Sequence, residues 1–358
     1  MENMEVKKDP LNIYRDKTVL VTGHTGFKGA WLSIWLKELG AKVVGFSLKE
    51  WENDYLFTKS GLDGRVVDER GDIADLKRLK EVFLQYKPDA VFHLAAQPLV
   101  RDSYLDPVRT FNANVMGTAN VLECIRGSGS VRSGVMITTD KCYKNKEQDK
   151  GYKETDELGG HDPYSASKAA AEIVIESYRR SFFENPGKLI ASARSGNNIG
   201  GGDYSKDRII PDCIRSLKKN EPVTIRNPGS TRPWQHVLEP LYGYLLLGSK
   251  LLSGENKFAQ AWNFGPERQS IIPVSKLVDL VIRDWGSGKW VDAQKSGDLH
   301  EAKLLSLDIS KAKKILGWYP RWNIEKAVKK AVDWYKKADG ESAYDLCVKQ
   351  IGEYVNEK

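Results

Sequence analysis

The sequence predicts an α/β protein: a doubly wound parallel sheet with helices on both faces, and a smaller α/β lobe set against the strand ends. Three observations lead there. Short apolar runs alternate with helical patterns through the first half of the chain. Those runs are near-continuous in Val, Ile, Leu, Phe and Ala, as strands buried on both faces are. Past residue 195 the texture changes, and Gly, Pro, Asn and Arg crowd into "SGNNIGGGDYSKDRIIP" and "IRNPGSTRPWQHV".

The first run, "KTVLVTG" (17–23), leads into a helical pattern over 28–39. "KVVGFSL" (42–48) is followed by a helix over 75–86, "AVFHLAA" (90–96) by one over 107–126, and "VMITTD" (135–140) by one over 165–183. "LIASAR" (189–194) completes the series. Strand, helix, strand in that order implies right-handed crossovers and a parallel sheet. Helices are expected near 211–219 and 238–252. The last, "NIEKAVKKAVDWYKK" (323–337), opens on a capping Asn323 and repeats apolar residues at helical spacing. The chain has no internal repeat and no low-complexity linker. We therefore expect a nucleotide-binding domain over 1–195 and a ligand-binding lobe over 196–358, some segments of which return to the first domain.

Composition narrows the function. Hydrophobic residues make up 41% and charged residues 29%, ordinary for a globular protein. The net charge of +7 is spread among interleaved acids and bases, so a small anionic ligand is favoured over nucleic acid, which needs a concentrated basic stripe. The best membrane candidate, "LYGYLLLGSKLL" (241–252), is short and broken by glycine. The start lacks an apolar signal core, and cysteines 124, 142, 213 and 347 form no CxxC pair. These point to a cytoplasmic protein with reduced thiols, no metal site and no membrane partner.

"TGHTGFKG" stands between the first strand and the first helix, with Gly23, Gly26 and Gly29 where a Rossmann-type phosphate loop needs them. Glycine permits the tight turn, close approach of a pyrophosphate, and helix–strand packing, and the helix N-terminus offers free N–H groups. His24, Phe27 and Lys28 complete this loop as cofactor-binding candidates, and Asp72 and Ile73 in "GDIAD" are placed to frame adenine. The second strand ends in Ser47 where an acid for the ribose hydroxyls is expected. NAD is the cofactor expected, although a Ser–Lys pair also suits the 2′-phosphate of NADP.

Two further stretches carry chemistry. "VMITTDKCYK" (135–144) runs from an apolar strand into Thr139, Asp140 and Lys141, a hydroxyl, an acid and a base at one strand end. "DPYSASKAAAE" puts Tyr164 and Lys168 four residues apart, on one helix face. A tyrosine used as a base near neutral pH needs a nearby cation to favour its phenolate, and Lys168 is so placed.

Together, "TGHTGFKG", "HLAAQ", "TTDK" and "YSASK" resemble the extended short-chain dehydrogenase/reductases over nearly the whole chain. "LGWYPRWNIEKAV" (316–328) is similar to that family's C-terminal signature. Most sugar-nucleotide 4,6-dehydratases of the family carry Asp followed by an acidic residue at the strand end; here the pair is Asp140–Lys141. The resemblance implies bound NAD, with Leu94, Ala95 and Ala96 also at the cofactor. It implies that Tyr164 and Thr139 act on the sugar C4 hydroxyl, Lys141 on C5 and Asp140 on the C6 hydroxyl. As a base Lys141 must be neutral, which leaves an electrostatic role as its alternative.

Gln97 is expected at the hexose, Arg208 and Arg232 at the diphosphate, and Arg194, Asn197 and Asn198 at sugar or phosphate. His300 is expected at the nucleotide ribose. The product, a 4-keto-6-deoxy sugar, would feed the deoxyhexoses of cell-surface polysaccharide such as lipopolysaccharide O-antigen. Helices 107–126 and 165–183 would pair two copies into a homodimer, or a homotetramer built from it. The rivals are a 4-epimerase on the same fold, which needs no acid–base pair for elimination, and an NAD-sensing module, which has no use for Tyr164, Lys168, Asp140 and Lys141 together. Which base the nucleotide carries is not legible in these residues.

Overall fold

The computed structural model describes residues 9–48, 56–183, 187–293 and 304–357. Its strands are β1 (Thr18–Thr22), β2 (Lys42–Ser47), β3 (Val67–Arg70), β4 (Ala90–His93), β5 (Ser133–Ile137), β6 (Leu189–Ser195), β7 (Asn198–Ile199), β8 (Val223–Ile225), β9 (Thr231–Pro233), β10 (Gln235–His236), β11 (Ala261–Phe264), β12 (Ile271–Pro273) and β13 (Trp290–Asp292). The helices used below are α1 (Phe27–Glu38), α2 (Leu56–Lys59), α3 (Leu76–Tyr86), α4 (Val100–Leu105), α5 (Pro107–Phe111), α6 (Gly117–Gly127), α7 (Pro163–Phe182), α8 (Ile209–Lys218), α9 (Leu238–Leu252), α10 (Val274–Trp285), α11 (Ile324–Lys337) and α12 (Ala343–Val355).

Seven strands form one sheet in the order β11-β6-β5-β4-β1-β2-β3, every pair parallel. The chain therefore winds outward from β1 in one direction to β3, returns to β4, and winds outward in the other. That reversal makes the crevice between the carboxyl ends of β1 and β4 the ligand-binding position of an open α/β sheet. Alternate strand residues feed two cores. Leu20, Val44, Val91, Met136 and Ile190 pack with α3, α6 and α7, while Val19, Val21, Val43, Phe92, Val135 and Ala191 pack with α1, α9 and the lobe.

All five expected strands are present, and two more complete the sheet. β3 reads "VDER", too polar to register as a run, because it is an edge strand with half-exposed side chains. β11 is only "AWNF" and lies 65 positions past the change of texture at 196, yet it pairs with β6 from Ala261↔Ser192 to Phe264↔Ser195. α9 also belongs to the sheet: Tyr14 Oη donates to the Leu245 carbonyl at 2.7 Å and Ser133 Oγ to that of Gly248 at 3.2 Å.

The helix expected over 107–126 is broken. A π-helical turn, Asn112–Met116, separates α5 from α6. The widened turn brings the buried Asn114 side chain inward, where it accepts from Gln97 N at 2.8 Å and donates to the Gln97 carbonyl and Ser167 Oγ. Such bulges re-aim side chains near functional sites. The lobe is built from three short strand pairs, β7 with β10, β9 with β12 and β8 with β13. Among the described residues, all four cysteines are buried thiols, no helix is long and apolar enough to cross a membrane, and no acidic, His or Cys cluster could hold a metal.

Candidate active site

The phosphate loop has the shape that its glycines allow. Gly23 takes a left-handed φ of 74°, and a Cβ there would stand 2.7 Å from Ala95 N, so the β1 and β4 ends approach closely. A Cβ on Gly29 would stand 2.0 Å from the Gly23 carbonyl oxygen, inside any contact distance. Gly26 is different. Its nearest neighbour would be 3.4 Å away, and it opens α1 with no side-chain cap. The N-terminus of α1 thus has no side-chain cap, which fits a pyrophosphate. Leu94 N bonds to the Thr22 carbonyl and Ala95 N to Thr22 Oγ1, fixing the loop opposite.

His24 points away from this cradle. Its buried ring fills the space over Gly45, with Nε2 2.9 Å from Asp68 Oδ1 and Nδ1 3.0 Å from Ser47 Oγ. Burial pushes its pKa down to about 4, so the ring is neutral. Ser47 thus serves to hold the loop through His24, and Asp68, unremarked in the sequence, supplies the acid that orients the ring. Phe27 packs toward Gly200 at the lobe. Asp72 Oδ1 accepts from Ala74 N and Ile73 is buried against Gly117, which places both at the β3 end of the crevice.

The catalytic candidates converge. β5 runs out at Ile137, and Asp140–Cys142 form a single 3-10 turn capped by Thr139. Thr139 Oγ1 donates to Asp140 Oδ1 at 2.9 Å. The other oxygen, Oδ2, is buried without a partner, and a Cβ on Gly196 would come within 2.7 Å of it. Gly196 is therefore needed to leave that oxygen room. Burial raises the Asp140 pKa, against the opposing pull of Lys141, the Thr139 bond and Arg232. A carboxyl so placed tends to keep its proton and can donate it.

Tyr164 stands in the first turn of α7, behind Pro163 and the capping Asp162. Its hydroxyl bonds to Thr139, but burial pushes its pKa up to about 12, with Arg208 pulling the other way. Desolvation thus outweighs the pull of Arg208 in the single chain. Lys168, one turn on, is itself pushed down by burial to about 8. Lys28 turns inward to the same centre. Its Nζ reaches Ser195 Oγ and Tyr244 Oη, both at 3.4 Å, and burial with the nearby Lys168 and Arg208 pushes it down to about 7.

The substrate candidates divide. Arg208 donates to the Pro98 carbonyl at 3.4 Å while its charge acts on Tyr164. Arg232 acts on Asp140 and donates to the Thr231 carbonyl. Asn197 and Asn198 lie where β7 enters the lobe, and Asn198 Oδ1 is buried without a partner. Gln97 spends its amide on Leu99 and Thr110, so it orders the loop instead of presenting a free amide to a sugar. Arg194 is buried in an ion pair with Glu172. His300 lies outside the described residues.

A glycine cradle at the sheet's switch point, with Tyr164, Lys168 and a strand-end hydroxyl beside it, defines a dinucleotide-dependent enzyme of short-chain dehydrogenase/reductase architecture. Residues 20–331 match the family model described as GDP-mannose 4,6 dehydratase, and the chain belongs to that family. It is 45% identical over 352 residues to the CDP-glucose 4,6-dehydratase of Salmonella typhimurium, covering 96% of this chain and 98% of that one. The dTDP-glucose 4,6-dehydratase of Xanthomonas campestris is 26% identical, over 89% of this chain and 93% of its own length. Among solved structures, the fold matches the dTDP-glucose 4,6-dehydratase of Bacillus anthracis in complex with NAD (TM-score 0.76, 20% identity, 90% and 97% covered). It also matches the UDP-glucose 4-epimerase of Thermotoga maritima (TM-score 0.77, 24% identity, 89% and 99% covered).

Proposed function

We propose that this chain removes water from CDP-D-glucose to give CDP-4-dehydro-6-deoxy-D-glucose, as an NAD-dependent 4,6-dehydratase. One observation carries the reading: Asp140, buried with an unpartnered oxygen and a raised pKa, stands between Tyr164's partner Thr139 and a lysine. A 4-epimerase oxidises and reduces at one carbon and has no use for that acid. The 45% likeness to a CDP-glucose enzyme supports the choice of nucleotide.

Bound NAD⁺ supplies a hydride acceptor at C4 and, once reduced, a donor at C6, and its positive ring favours the Tyr164 phenolate. Tyr164 takes the proton of the C4 hydroxyl, and Thr139 shares that hydrogen bond. The C4 ketone acidifies the hydrogen on C5, which Lys141 removes in its neutral form and returns as a proton when C6 is reduced. Asp140 protonates the C6 hydroxyl as it leaves. Lys168 holds the nicotinamide ribose, and Arg208 and Arg232 clamp the diphosphate. The chain works in the cytoplasm on a step toward deoxyhexoses of cell-surface polysaccharide, as a homodimer or a homotetramer.

The test is incubation with CDP-, dTDP-, GDP- and UDP-glucose, followed by assay for a 4-keto-6-deoxy product. CDP-glucose should be converted fastest, without net consumption of cofactor. Free NADH accumulating in step with product would sink the reading.

A further inference from the structure

Behind the catalytic loop lies a buried ion pair that the proposed reaction does not use. The Glu172 and Arg194 side chains are 2% and 4% exposed, and Arg194 Nη2 donates to Glu172 Oε2 at 2.7 Å. Removing two charges from water costs several kcal/mol per ion, by order of magnitude, and apolar side chains of similar volume often serve stability as well. The contacts of the pair show what it does instead. Thr138 Oγ1 donates to Glu172 Oε1, and Ser192 Oγ donates to Oε2 at 2.7 Å. Arg194 Nη1 reaches Tyr143 Oη at 2.8 Å and the Glu154 carbonyl at 3.2 Å. Tyr143 in turn donates to Asn263 Oδ1 at 2.7 Å. Thr138 and Tyr143 bracket Thr139, Asp140 and Lys141, so one ion pair grips the loop on both sides.

Glu172 also lies one turn beyond Lys168 on α7. Lys168 shares its helix face with Tyr164 and lies within electrostatic reach of Cys142 from the loop, Lys28 from α1 and His93 from β4. Burial holds the Cys142 thiol protonated, and His93 is pushed down to about 3 and so is neutral. Lys28 can only add positive charge. Of these groups, Glu172 alone brings a negative charge that favours the Lys168 ammonium.

We infer that the Glu172–Arg194 pair is a positioning unit for the reaction: it anchors the 138–143 loop at both ends and keeps Lys168 protonated. Its kinetic consequence rests on the dehydratase reading; its effect on Lys168 rests on the place of the Glu172 charge one turn beyond that lysine on α7.

Glu172→Gln keeps the shape of the side chain and removes its charge. Because Arg194 is then buried without a counter-ion, the double variant Glu172→Gln/Arg194→Gln is made beside it. Competitive acetylation across pH, read at Lys168 by mass spectrometry, needs no substrate. In both variants the Lys168 pKa should fall by about one unit or more, so that the loss of ammonium reaches about tenfold above the wild-type value. On CDP-glucose with saturating NAD, the activity of the variants relative to wild type should fall by about tenfold above the wild-type Lys168 value of about 8 and recover on acidification, as Lys168 regains its proton. An unmoved Lys168 pKa, or an equal loss of rate at every pH in the folded double variant, overturns the inference. A wild type inactive on all four nucleotide glucoses would remove the dehydratase reading instead, and the acetylation result would still decide the role of the pair.

Discussion

At Asp140, burial and an unpartnered oxygen act in the same direction: both favour the protonated acid, while Thr139 fixes the other oxygen. If Asp140 and Lys141 serve elimination and Tyr164 serves oxidation, damage to each stops the reaction at a different stage. Tyr164→Phe should give no reduced-nicotinamide signal at all. Asp140→Asn and Lys141→Ala should both allow oxidation at C4 while water loss slows by about two orders of magnitude. Exchange of the C5 hydrogen with deuterated solvent then separates them, retained in Asp140→Asn and lost in Lys141→Ala. Normal exchange in Lys141→Ala would leave that lysine an electrostatic role only. Stability gives a second check. A carboxyl whose folded pKa is raised costs stability as pH climbs from its unfolded value through the folded one, so at pH 7 that cost is present. Asp140→Asn removes it, and the variant should melt no lower than wild type at pH 7.

The other end of the cofactor site shows what one residue type could and could not reveal. Ser47 was legible as a missing carboxylate, but its bond to His24 Nδ1, and the acid Asp68 behind the ring, depend on β3, which the sequence did not show as a strand. With Ser47 in place of a carboxylate at the end of β2 and the Lys28 cation turned into the centre, NAD should be held loosely. Purified protein should then be partly empty and its activity should rise with added NAD⁺. Full occupancy after extensive dialysis would contradict this.

Among elements, the strand–loop–helix unit that opens the chain separates fold from ligand binding. A methyl on Gly29 would meet the Gly23 carbonyl at 2.0 Å, and backbone has nowhere to give. Gly29→Ala should cost about 1–3 kcal/mol of stability and abolish NAD binding. A methyl on Gly26 meets nothing closer than 3.4 Å but intrudes where a phosphate approaches the α1 N-terminus. Gly26→Ala should therefore leave the melting temperature within about 2 °C of wild type, an effect below ~0.5 kcal/mol, and still weaken NAD binding by tenfold or more, on the order of 1.4 kcal/mol. Calorimetric titration and a thermal melt of both variants decide it; equal behaviour would mean that Gly26 has no ligand to admit. This unit was readable because three glycines, a strand and a helix sit in one short stretch. The π turn at Asn112–Met116 was not, since apolar spacing continues through it and its cause, the Asn114–Gln97 bonds, is tertiary.

At the scale of the whole molecule, the boundary at 195 marks a change of texture but not a clean cut. α9 and β11 return to the first domain because its sheet needs a cover and a last strand. The C-terminus also returns. Glu239 on α9 accepts from the Arg321 and Trp322 amides and from Tyr354 Oη, and Tyr344 Oη donates to Glu38 on α1, so α12, beyond the span of the family model, closes over the cofactor helix. These contacts join residues up to 306 positions apart, which no local pattern announces.

One face remains uncovered in a single chain. Of the large apolar side chains left exposed among the described residues, half fall on the stretch from α4 to α7: Tyr104, Leu105, Val108, Phe111, Met116, Ile173 and Phe182. Apolar exposure concentrated on neighbouring helices is what an interaction surface presents. α5 and α6 both pack on α7, so these helices present one layer, and a second copy related by a two-fold axis would cover it with its own. We predict a homodimer at micromolar concentration by sedimentation, and a monomer when Met116→Lys and Ile173→Lys place charge on that layer. The paired variant should keep its melting transition, since both side chains are more than half exposed in the single chain. A wild type that sediments as a monomer would rule the pairing out, and a dimer that survives both substitutions would move it to another face.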